Sequence, residues 1–295
     1  MTVTDAVADD VDSVADAVER LDRFAAWEIT GRYPLDFTAY HPQGITRVGD
    51  RLLMSSVEII QDTARHPEPL DGHDRSPGRG QAHVFEMDLS GRLLRQATLG
   101  EDTVYHPGGI AFDGQFVWVP TSEYRPDSRA IIYRLDPETF EITEAFRFPD
   151  HLGAIAHDRL TGLLHVATWG SGRFLALDAN GRVLHSSVNN SRYVDFQDCA
   201  AVGYGKLVCT GVTEYPIDTG GVFSLGGIAV VDVSSGYMRH EVPVTLLSPA
   251  GRAVTFNAVH LEVVRDEAKL RMYAVPDDGL APGESSLLII DVALS

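Results

Sequence analysis

The chain has 295 residues, 44% of them hydrophobic, and a formal net charge of −18. That length can bury a large core and, in an all-β fold, is often one domain. The charge argues against nucleic acid or an anionic membrane surface as partner, and no apolar run of about 18 residues is present to span a bilayer.

Residues 1–22 (MTVTDAVADDVDSVADAVERLD) are acidic, without the basic and apolar regions of a signal peptide. They read as a short helix or tail outside a single domain covering 23–295. From there the chain repeats itself. HVFEMD ends at Asp88, IIYRLD at Asp136, RFLALD at Asp178, IAVVD at Asp232 and LLIID at Asp291, each a β-rich run closing on Asp. Those aspartates are expected to make Asx-type turns. Units of roughly 45 to 65 residues, each with four short strands, indicate an all-β, five-bladed β-propeller. The fifth unit stops after three strands. Its missing outer strand is expected from the segment near Arg23–Thr30, which would close the ring and leave no open edge.

A second repeat concerns chemistry. His41 precedes Glu58, His106 precedes Glu123, Gln197 precedes Glu214 and His260 precedes Asp277, each by 17 residues. A further copy, DHLGAI, begins at Asp150–His151 and has Gly170 where an acid would stand. Hairpin turns midway between the paired residues would set each ring opposite its acid on one sheet face. His41, His106, His151 and His260, with Gln197, would then circle the axis, backed by Glu58, Glu123, Glu214 and Asp277. A carboxylate on one imidazole nitrogen presents the other to a metal. Imidazole ligands favour a divalent transition ion such as zinc, iron, manganese, nickel or copper. The same pattern also suits metal-free catalysis, or mere tying of blades.

The loops favour one working face. Residues 61–81 form a long connection of the kind used as a lid or binding loop, and carry His66 and His73. Tyr124 and Tyr215 follow acids in SEYR and TEYP, where each is a candidate proton donor, and Arg125 is a candidate clamp for a substrate carboxylate. Trp169 lies beside a short loop that would make a substrate entrance. Cys199 and Cys209, with a turn at Gly205–Lys206, would point to opposite faces as free thiols, which suits a reducing cytoplasm.

The runs YHPGGI, FVWVPTSEYRPDSRAIIYRLDPET, HLGAIAHD and FQDCAAVG resemble an uncharacterised propeller family of bacteria and fungi, filed as a domain of unknown function. That likeness implies a propeller and carries no reaction. A looser similarity to gluconolactonase-like, strictosidine-synthase-like and virginiamycin-lyase-like propellers implies chemistry at a channel mouth. The expectation is a metal-dependent lyase, hydrolase or isomerase acting on a small organic substrate. The alternatives are a four-histidine iron oxygenase resembling carotenoid-cleaving enzymes, a metal-free cyclase or isomerase, and a binding propeller without catalysis.

Overall fold

The computed structural model describes residues 14–191, 193–203, 205–218 and 220–294. Five antiparallel blades surround one axis. Blade one runs outward through His41–Val48, Arg51–Gln61, Arg79–Asp88 and Leu93–Leu99. Blade two begins with a broken inner strand, His106–Pro107 and Ala111–Phe112, followed by Val117–Ser122, Ala130–Leu135 and Ile142–Phe148. Blade three is Leu152–His157, Leu164–Thr168, Arg173–Leu177 and Val183–Val188. Blade four is Asp195–Ala201, Lys206–Pro216, Val222–Asp232 and Tyr237–Val244. Blade five is Ala258–Val264, Lys269–Val275 and Ser286–Ala293, closed by Glu28–Pro34 pairing with the last of these. The clasp therefore forms as expected, a few residues later than Arg23–Thr30.

Middle strands read as apolar runs because they are covered on both faces by neighbouring blades. Val117–Ser122 and Leu164–Thr168 are buried throughout. Outer strands alternate, as one-sided strands do. Residues 14–19 are helical, and Ala15, Ala17, Val18 and Leu21 are buried against Val202, Val208 and Val230. The described residues of this segment thus pack onto the core.

The axis is closed by backbone contact. A Cβ on Gly44 would lie 2.5 Å from the Gly109 Cα, and one on Gly108 would lie 2.3 Å from the Gly153 carbonyl oxygen. Gly109 donates its N–H to Gly153 O at 2.9 Å. The glycines of the HPQGI and HPGGI repeats, Gly44, Gly108 and Gly109, are there because nothing larger lets the inner strands meet. Blade four puts Asp198 at the same level. Its buried carboxylate accepts backbone N–H bonds from Ile45 at 2.8 Å, Cys199 at 3.1 Å and Val259 at 3.4 Å, with Ile110 adding another. One side chain thereby ties blades one, two, four and five together.

Three expectations are corrected. Asp88, Asp136, Asp178 and Asp232 do make Asx turns, to Ser90, Glu138, Asn180 and Ser235. Asp291 instead sits inside a strand and pairs with Arg271 at 2.7 Å, because the chain does not turn there into its outer strand. The Cys199–Cys209 pair is a disulfide. The blade-four turn lies at Gly203–Gly205, so Cys199 faces Cys209 directly. This removes the reason for assigning a reducing compartment. Among the described residues no helix is long and apolar enough to cross a membrane.

Replacing Asp198 with Asn leaves one acceptor oxygen and turns an NH2 toward N–H donors. Asp198→Asn should cost on the order of 3 kcal/mol, read as a lower urea midpoint with unchanged slope. An unchanged midpoint would remove Asp198 as the tie.

Candidate functional site

Three inner strands carry an extra residue near the axis: Gln43 in blade one, Gly153 in blade three and Gln197 in blade four. Such bulges re-aim the side chains before them. His41 and Asp195 hold equivalent places, each two residues before the bulge and opposite Val57 and Val212. His106, opposite Ser122, and His151, just before Leu152, complete the level. These four surround a cavity of about 150 Å³ at one mouth of the propeller, also lined by Gln43, Tyr124, Trp169, Ser171 and Gln197.

The rings are close but do not converge. His41 and His106 are 6.4 Å apart between centroids, and His106 and His151 6.2 Å. His41 Nδ1 meets Asp277 Oδ2 at 2.9 Å, and His151 Nδ1 donates to the Glu123 carbonyl at 2.8 Å. Each leaves Nε2 as an acceptor. His106 is stacked on Tyr124 at 4.1 Å, is 5% exposed, and has no hydrogen-bond partner at either ring nitrogen. Burial, with the neighbouring His151 and His41, holds its pKa well below the ordinary value. Burial brings His151 down to about 4. It also raises the carboxyl of Asp195 against hydrogen bonds from Ser171 and Gln197, and the phenol of Tyr124.

Three imidazoles sharing a tetrahedral ion at about 2 Å would bring ring centres to about 5 Å. Among the described residues no group of three His, Cys, Asp or Glu stands close enough to hold one ion. The side chains best placed to approach a metal are His41, His106, His151 and Asp195.

The structure separates the candidates. His41, His106, His151, Tyr124, Trp169 and Gln197 line one cavity. Asp277 touches it through His41, a histidine of the next blade rather than its own. The bulges move Glu58 and Glu123 one place out of register with their histidines. Glu58 faces His83 at 3.6 Å near the surface. Burial pushes the Glu123 carboxyl up, but bonds from Thr103, Arg125 and Arg129 outweigh it and hold its pKa below normal. Arg125 is therefore a partner of Glu123, at 2.6 Å, not a substrate clamp. Glu214 and Tyr215 are exposed on a hairpin extending beyond the sheet, with Arg252 at 3.8 Å from Glu214.

His260 is the largest correction. It pairs with Tyr273 and lines a separate cavity of about 700 Å³ at the opposite mouth, with Arg47, Phe112, His157 and Glu262. Its neighbour Val259, not His260 itself, marks the level of Ile45 at the axis. A four-histidine iron centre is thereby excluded. Asp195 was missed because the 17-residue spacing selected Gln197. Aligning Asp195–Phe196–Gln197 with His41–Pro42–Gln43 would have found it.

The long loop forms a two-stranded hairpin, Arg65–Leu70 and His73–Arg75. It brings the Arg75 guanidinium 5.0 Å over the Trp169 ring. Arg75 is also paired with Asp74 at 2.9 Å. Neither His66 nor His73 lines the cavity.

The chain belongs to a family of unknown function (DUF6454), whose model matches residues 6–295. No curated protein matches it significantly in sequence. Among solved structures, the tail fibre of Staphylococcus aureus phage P68 superposes with a TM-score of 0.52 at 9% identity, covering 96% of this chain. This chain spans 56% of that one, and the likeness shows the fold alone. A mannose phosphorylase from Leishmania mexicana gives a TM-score of 0.48 at 13% identity, covering 96% of this chain and 92% of its own. A streptogramin B lyase gives 0.42 at 11%, covering 91% and 98%.

His151 also sets a pH dependence. Its pKa is depressed from 6.5 to about 4, so the unfolded chain takes up the proton first as pH falls. The stabilisation is complete above the unfolded value and is lost between there and about 4, by about 3 kcal/mol. Asp195 and Asp198 pull the other way, so the test is a difference. His151→Gln should lose less stability than wild type between pH 7.5 and pH ~4.5 in urea titrations. Equal losses would contradict a buried neutral His151.

Proposed function

We propose that this DUF6454 member is an enzyme that acts by proton transfer on a small organic molecule in the cavity between His41, His106, His151 and Asp195. The carrying observation is His106: a buried imidazole lining a cavity, with neither nitrogen in a well-formed hydrogen bond and only the Pro107 backbone acting weakly on it. An unsatisfied buried polar group costs about 1–3 kcal/mol, a cost that a bound molecule removes. The ring is neutral at working pH and free to accept a proton. His106 takes a proton from the substrate, breaking a C–H or O–H bond, and returns it at a neighbouring atom, which is an isomerisation. Where a leaving group departs with the electron pair, the same step is an elimination. His41 and His151, their tautomers fixed, accept hydrogen bonds that orient the molecule. Tyr124, stacked on His106, keeps the ring in place.

A second reading has a divalent transition ion bound by His41, His106 and His151 and acting as a Lewis acid. The hydrogen bonds at both outer Nδ1 atoms favour it, and the ring separations weigh against it.

Incubating wild type and His106→Asn with a metabolite extract, followed by mass spectrometry, tests the proposal. Wild type should convert at least one compound, and His106→Asn should do so about 10²- to 10⁴-fold more slowly. Conversion by wild type free of metal on elemental analysis supports the proton-transfer reading. A stoichiometric metal lost in His106→Asn supports the second. Equal conversion by both proteins would overturn both.

A further inference from the structure

We infer that the cavity selects an organic cation, a small molecule whose ammonium group sits on Asp195 while its other donors reach the imidazole nitrogens. This rests on the cavity being the substrate site and names the substrate's class. Asp195 lines the cavity, and its hydrogen bonds come from the neutral side chains of Ser171 and Gln197. Among the described residues no basic side chain pairs with it. A carboxylate largely withdrawn from water is ordinarily matched by a cation, and here the matching charge is left for the ligand.

The rest of the lining agrees. Among the described residues it contains no Lys or Arg. The nearby guanidinium groups are already engaged, Arg75 with Asp74 and Arg125 with Glu123. His41 and His151 offer acceptor nitrogens, because their Nδ1 atoms are spent on Asp277 and Glu123. His106 adds an unpartnered ring. Tyr124 and Trp169 supply aromatic surface, which tolerates an ammonium well. A carboxylate or phosphate ligand would face the Asp195 carboxyl and find no cation among the described lining residues to neutralise it. The chain's charge of −18 adds a long-range bias in the same direction. A volume of about 150 Å³ suits a molecule of about six heavy atoms, so the ligand is compact.

The test uses three probes of one length with different ends: 4-aminobutan-1-ol, butane-1,4-diol and 4-hydroxybutyrate. Binding to full-length protein is followed by ligand-observed saturation-transfer NMR at pH 7.5. The amine should bind at least about tenfold more tightly than the diol, and the acid not at all. Asp195→Asn should reduce amine binding to the level of the diol, while Glu214→Gln, outside the cavity, should leave it unchanged. The circular dichroism melting curve of Asp195→Asn establishes that it is folded. Should it unfold, displacement of the amine from wild type by the diol or the acid at equal concentration overturns the inference, and resistance to displacement supports it. Acid or diol binding as tight as the amine, or amine binding indifferent to Asp195→Asn, would overturn it too. An amine that does not bind, alongside turnover still lost in His106→Asn, removes the cation assignment and keeps the catalytic reading. Loss of neither removes both.

Discussion

The carboxylate of Asp198 holds the centre of the molecule. Inner strands of a propeller approach the axis with N–H groups that a sheet ladder cannot satisfy. Here those of Ile45, Ile110, Cys199 and Val259 point at one buried side chain. Burial drives its pKa well up, and the four N–H bonds oppose that drive. Around it the strands of blades one to three come so close that only glycine fits at Gly44, Gly108 and Gly109. Hydroxyls reinforce the junctions: Ser55, on the second strand of blade one, bonds Gly108 O at 2.7 Å, and Thr255, just ahead of blade five, bonds Gly211 O at 2.8 Å. The level of the functional side chains follows from this. His41 and Asp195 reach one cavity because their strands are pinned at the same depth and bulge at the same place.

Charge is distributed in layers. The exterior carries the acidic excess, and the cations close to the cavity are committed to acids behind it. What faces the cavity is a set of imidazoles and one carboxyl group, with His106 and His151 buried and held neutral. In so dry a setting a single unmatched charge weighs more than the many on the surface. The opposite mouth is different in kind. There Arg47 bonds Glu262 at 2.5 Å, Tyr273 bonds the same carboxylate at 2.7 Å, and the walls are largely aliphatic.

The architecture was legible in the chain because a propeller repeats its turns. HVFEMD and its counterparts mark third strands whatever else diverges, and the three-strand fifth unit demanded a partner from the N-terminal side. The register was not legible. A bulge adds one residue without leaving a compositional mark, and at Gln43 that was enough to move Glu58 away from His41. In blades four and five the 17-residue spacing matched residues four places out of register, which hid Asp195 and promoted His260. The disulfide was lost the same way: a turn centred slightly earlier than Gly205–Lys206 places Cys199 across from Cys209. His106, His151, Tyr124 and Trp169 line one cavity all the same, because each lies at a strand start or beside a loop at that mouth.

The glycine-sealed axis gives the molecule two cul-de-sacs instead of a tunnel. A ligand bound at either mouth could then exchange only through the side by which it came. At the mouth carrying Trp169, the hairpin bearing Arg75 stands over that side.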